Sequence, residues 1–178
     1  MVDAAESLTS FRAYVDEVLA KSDKLSHENM ALLVSCMDFR YPHRIVAVMD
    51  ELGLSGKYDH FVLAGASLGS HVPAWQDVLI KHIEAALILG HHIKKIVFLD
   101  HRDCGAYRYP KEIGVPADIL DNGLVKDILP STELNCHLSV VQKLVPVLKS
   151  RLKKLIPDLK VDAILLTRDE DDILLEEK

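Results

Sequence analysis

No stretch of this chain is apolar for long enough to suggest a membrane span. Gly, His, Lys or Asp breaks each run before it reaches the roughly 20 residues that a spanning helix needs. The N-terminus, MVDAAESLTSF, starts acidic and lacks the basic-then-apolar order of an export signal. Basic residues are outnumbered, 21 Lys and Arg against 27 Asp and Glu, and the formal net charge is −6. The clustered cations that a phosphate backbone demands are missing, which argues against nucleic acid as a partner. The densest basic stretch, KSRLKKL at 149–155, reads as a solvated helix face. Cysteine is sparse and odd in number, with only Cys36, Cys104 and Cys136 among 178 residues. That count does not fit a disulfide framework. These absences leave a cytoplasmic protein as the expectation. In a reducing compartment, cysteines near histidine and aspartate point to metal binding or catalysis.

What is present is an ordinary globular balance, 49% apolar and 27% charged, with no internal repeat. The length suits one domain spanning 1–178 with a core of its own. Leu8, Phe11, Val15 and Leu19 recur at helical spacing and predict a helix over 5–22, within an N-terminal arm of residues 1–25. MALLVS (30–35), HFVLA (60–64), IKKIVFL (93–99) and KVDAILLTR (160–168) read as buried strands. Pro42 and Pro73 suit the first turns of helices that stop at Gly53 and Gly90. Alternating strands and helices imply right-handed crossovers and an α/β fold, with a mainly parallel sheet of four or five strands flanked by helices. Residues 131–156 carry a long helical pattern that Pro146 should kink or split. DEDD is expected to be a turn, and ILLEE a short antiparallel edge strand.

In open α/β sheets, ligands bind beyond the carboxyl ends of the strands. The first strand ends in SCMDFR, with Cys36, Asp38 and Arg40, and the third ends in DHRDC, with His101 and Cys104. If the two strands are neighbours, these residues meet at one sheet edge. Two thiolates and an imidazole suit zinc, and three protein ligands leave a fourth tetrahedral position open for chemistry. Cys136 or His137 is the rival fourth ligand of a closed, structural site. A carboxylate such as Asp38 can accept a hydrogen bond from metal-bound water or bind the metal itself. An arginine such as Arg40 can hold that carboxylate off the metal as a bidentate pair.

Taken in this order, the sequence resembles the β-class carbonic anhydrases. The resemblance rests on Cys36-Met-Asp38-Phe-Arg40, the VLAGAS loop, His101-Arg-Asp-Cys104-Gly105, ELNCHLSVVQKL and ILLTRDEDDILLEE. It implies that Cys36, His101 and Cys104 bind Zn2+, with Asp38 and Arg40 as a catalytic dyad beside the open position. Gly105 would offer its amide to substrate. The implied reaction is reversible hydration of carbon dioxide to bicarbonate by zinc-bound hydroxide. The resemblance also implies a homodimer or higher homo-oligomer, with the N-terminal helix lying across a partner.

The chain departs from the family pattern at three places. Ala66 stands where the family usually has Asn, Asp100 where it has Gly before the histidine ligand, and His27 near the place of a substrate-contacting Gln. These changes spare the ligands and alter the pocket. They keep open hydrolysis of carbonyl sulfide or carbon disulfide on the same scaffold, or a non-catalytic zinc protein.

Overall fold

The structure is a computed structural model that describes residues 30–120, 130–167 and 173–176, with only the backbone for 130–132 and 173–176. The expected helix over 5–22, the arm of residues 1–25, His27 and the DEDD turn lie outside these residues.

Strand β1 (Met30–Ser35) leads to helix α1 (Pro42–Glu51) and strand β2 (Tyr58–Val62). Helix α2 (Pro73–Ile88), strand β3 (Ile93–His101) and the single turn α3 (Gly105–Arg108) follow. Helix α4 (Pro130–Leu152) and strands β4 (Lys160–Leu166) and β5 (Ile173–Glu176) complete the order. One sheet runs β2-β1-β3-β4-β5. Its first four strands are parallel and β5 returns antiparallel to β4. This is a single α/β domain.

The period-2 alternation of the strands explains the layers. Leu32, Val34, Ile96, Phe98, Val161 and Leu165 face Leu79, Ile83, Leu144 and Leu148 of α2 and α4. Ala31, Leu33, Val97, Leu99 and Leu166 face Ile45, Val48 and Met49 of α1. Because β1 and β3 are buried on both faces, they appear in the sequence as continuous apolar runs.

Two expectations need correction. The second strand begins at Tyr58 rather than His60 and is not buried. It is a sheet edge, and Val62 is half exposed. A run of apolar letters does not separate edge from centre when the turn before it carries the signal. Of the two outcomes expected at Pro146, a split does not occur: helix α4 passes through it. Pro146 and Gln142 are exposed, so water can take up the carbonyl that the missing N–H leaves free. Val141, Leu144, Val145 and Leu148 hold the buried face to the sheet.

Candidate metal centre

Strands β1 and β3 are adjacent and parallel, and Ser35 lies opposite Leu99. The residue after β1 is Cys36, while β3 runs two residues further to His101. The expected convergence at the carboxyl edge of the sheet is therefore present. The ligand atoms of Cys36, His101 and Cys104 all lie within 4.8 Å of one another, and all three residues are buried. Among the described residues this is the one such His, Cys, Asp or Glu cluster. Neither rival fourth ligand belongs to it. Cys136 is half-buried on α4, and the His137 Nδ1 bonds Asp100 instead, at 3.0 Å.

The donor set fits a metal. His101 Nδ1 can only donate to the Arg102 carbonyl, 2.9 Å away, which leaves Nε2 as the nitrogen free for coordination. That Nε2 is buried and has no hydrogen-bond partner, a costly arrangement unless something else uses it. Tyr41 stacks on the imidazole with ring centroids 4.4 Å apart and fixes its plane. The two sulfurs are 3.8 Å apart. The hydrogen bond shared with Cys104 lowers the Cys36 pKa, with His101 and the Gly65 N–H adding to it against burial. The same contact, together with burial, pushes Cys104 up. Burial works against a charged His101, but the adjoining Cys36, the Arg102 carbonyl and Asp38 outweigh it and raise its pKa. A buried S,S,N set is what zinc or another borderline-soft cation takes.

Asp38 lies at the solvent side of this cluster, its Oδ2 3.7 Å from His101 Nε2. Arg40 grips it as a fork, Nε to Oδ1 at 2.9 Å and Nη2 to Oδ2 at 2.7 Å, and the Arg40 N–H adds a third bond at 2.9 Å. Chiefly through that guanidinium, and against burial, the carboxyl is lowered to about 2. Arg40 is itself anchored across the cleft by the Asp103 carboxylate at 3.1 Å and the Asp103 carbonyl at 2.9 Å.

Several contributors were not singled out from the sequence. The Gly65 N–H donates to Cys36 Sγ at 3.4 Å. Gly65 has φ +75°, and a Cβ there would come 2.7 Å from the Cβ of Ala106, so the turn requires glycine. Gly105 opens α3, and a Cβ there would meet nothing within 4 Å. Tyr41, Asp103 and Glu133 were missed because they are distant from their partners in sequence or carry no motif. The one readable hint was Tyr41, directly after Arg40.

The basic stretch at the end of α4 behaves as a surface face, at least at Arg151, which binds Gln76 and Asp77 at 2.8 Å each. No helix among the described residues is long and apolar enough to cross a membrane.

No family model matches the chain. An uncharacterized protein of Rickettsia conorii is 33% identical over 156 residues, covering 86% of this chain and 75% of its own length. One of Rickettsia bellii is 32% identical over 159 residues, covering 86% and 85%. Among solved structures, a carbonic anhydrase from Glaciozyma antarctica aligns with a TM-score of 0.54 at 16% identity, over 94% of this chain and 95% of that one. A carbonic anhydrase from Streptococcus mutans aligns with a TM-score of 0.52 at 21% identity, over 99% and 100%. The chain therefore belongs to one family with the two uncharacterized rickettsial proteins, and its fold is that of the β-class carbonic anhydrases.

Proposed function

We propose that this protein is a zinc enzyme that interconverts carbon dioxide and water with bicarbonate and a proton. The observation that carries the reading is the buried Cys36, His101 and Cys104 cluster with an ionised carboxylate at its open side. Cys36, His101 and Cys104 would hold the metal. When bound there, zinc supplies Lewis acidity that brings the pKa of water down to about 7. Asp38, as a carboxylate, is acceptor-only. It takes a hydrogen bond from the attacking water and so aims the oxygen's lone pair at carbon. Arg40 keeps Asp38 in that place and off the metal, because its fork occupies both carboxylate oxygens. The Gly105 amide, at the first turn after Cys104, contacts the substrate oxygen.

The reading includes a cytoplasmic location, where the thiols stay reduced, and a homo-oligomer. Met37 and Phe39, 68% and 88% exposed on either side of Asp38, support the oligomer as apolar surface at the rim of the site.

Stopped-flow hydration of carbon dioxide by the zinc-loaded protein tests the reaction, from about pH 6.5 to 9 around the expected ionisation. The expected rate is far above buffer and rises with pH. No rate with zinc bound, combined with turnover of carbonyl sulfide or carbon disulfide, would transfer the site to sulfur substrates.

A further inference from the structure

Directly beside the metal cluster lies a second polar group of residues that the proposed reaction does not use. Asp100, the residue before His101, is 2% exposed. A carboxylate so deep is costly unless it is fully bonded. It accepts the Ser67 N–H at 3.0 Å, the Ser67 hydroxyl, the Tyr107 hydroxyl at 3.1 Å and the His137 Nδ1–H at 3.0 Å. Each donor is tied to a ligand-bearing segment. Ser67 is two residues from Gly65, whose N–H reaches Cys36. Tyr107 is in the turn that follows Cys104 and packs its ring 4.0 Å from that of His137.

His137 is completely buried, and its Nε2 has no hydrogen-bond partner. Burying an unsatisfied nitrogen is unfavourable, so what Nδ1 does has to compensate for it. Glu133 is one helical turn earlier, on the same face of α4. Its Oε1 accepts the Asp103 N–H at 2.5 Å. Asp103 has φ +57°, a strained conformation that needs holding. Thus α4 grips the segment 100–103 at both ends, with His101 between the two grips and Cys104 directly after the second.

We propose that helix α4 sets the geometry of the metal centre through Asp100, with His137 and Glu133 as positioning residues that fix His101 and Cys104. The proposal rests on the ligand assignment above. It makes His137 part of the machinery for metal affinity, although it touches neither metal nor substrate.

Cobalt(II) alone is the probe, with full-length protein. Affinity is measured by competition with a chromophoric chelator, and ligand geometry by the visible d–d bands. His137→Leu should weaken cobalt binding by about ten-fold or more, the range seen when a supporting partner is lost, and should shift the bands. His137→Asn keeps a donor near the Nδ1 position and should restore affinity to within about two-fold of wild type, well short of the ten-fold loss. Leu148→Ala, on the same helix but in the core under the sheet, should lower the melting temperature and leave cobalt affinity unchanged. If His137→Leu does not fold, Ser67→Ala reads the same network and should move affinity in the same direction by less. Wild-type affinity in folded His137→Leu would overturn the proposal. So would a loss no larger than that of Leu148→Ala at matched stability. A wild-type protein that binds no cobalt would overturn the ligand assignment first, and this proposal with it.

Discussion

Cys104→Ala is expected to lose zinc during dialysis against a chelator, while Cys136→Ala keeps it. Zinc held by a small protein site is worth about 10–16 kcal/mol in apparent free energy. Shared over a handful of ligands, that is several kcal/mol for one thiolate, or roughly three orders of magnitude in affinity. Cys104 is buried within the cluster, its sulfur 3.8 Å from that of Cys36. Alanine keeps a small apolar side chain in this buried cluster but removes the sulfur donor. Cys136 is half-buried on α4 and outside the cluster, so its replacement takes no donor from the metal site. Metal content by mass spectrometry reads both variants. Full zinc in Cys104→Ala would contradict the ligand set, and equal loss in both variants would point to general destabilisation.

The second large effect concerns Asp38. Asp38→Ala is expected to retain zinc and to slow carbon dioxide hydration by about 10²-fold or more, the usual cost of losing a positioned proton acceptor. Arg40 holds the carboxyl down to about 2. A carboxyl depressed in the folded state contributes stability above its unfolded pKa, near 4, and loses it as pH falls through about 2. Asp38 is therefore ionised at every working pH, and the rise in rate between pH 6.5 and 9 is not its titration. The variant should show a lower plateau, with a midpoint that falls because the carboxylate's negative charge no longer opposes ionisation of the neighbouring water. An unchanged rate would remove Asp38 from the mechanism.

The path from sequence to site was most direct where chemistry and periodicity coincide. β1 and β3 are buried on both faces, so their apolar runs end close to where their strands do. Cys36, directly after β1, and His101, the last residue of β3, are placed by register alone once the strands are neighbours. The antiparallel return of β5 was legible because the short apolar run ILLE directly follows the acidic DEDD after β4. Strand β2 was read two residues late because its edge position leaves it half exposed, which weakens the apolar pattern. Pro146 does not split α4 because its ring faces solvent, where a lost hydrogen bond is cheap. Least legible were contacts that cross the chain. Asp100 was visible only as a departure directly before His101, and nothing in the letters linked it to His137, 37 positions later. Arg40 was read as Asp38's partner, whereas it also spans 63 positions to Asp103. Ala66 sits at φ +38° in a fully buried turn. Asn adopts that conformation more readily, so the substitution is visible in sequence while its backbone strain is not.

X-ray absorption at the zinc edge tests the central claim most directly. One zinc per chain is expected, with two sulfurs at about 2.3 Å and the remaining scatterers nitrogen or oxygen at about 2.0–2.1 Å. That result would match Cys36, Cys104 and His101 with one further light ligand. A shell with three sulfurs, a shell with none, or a protein that retains no zinc would contradict the account.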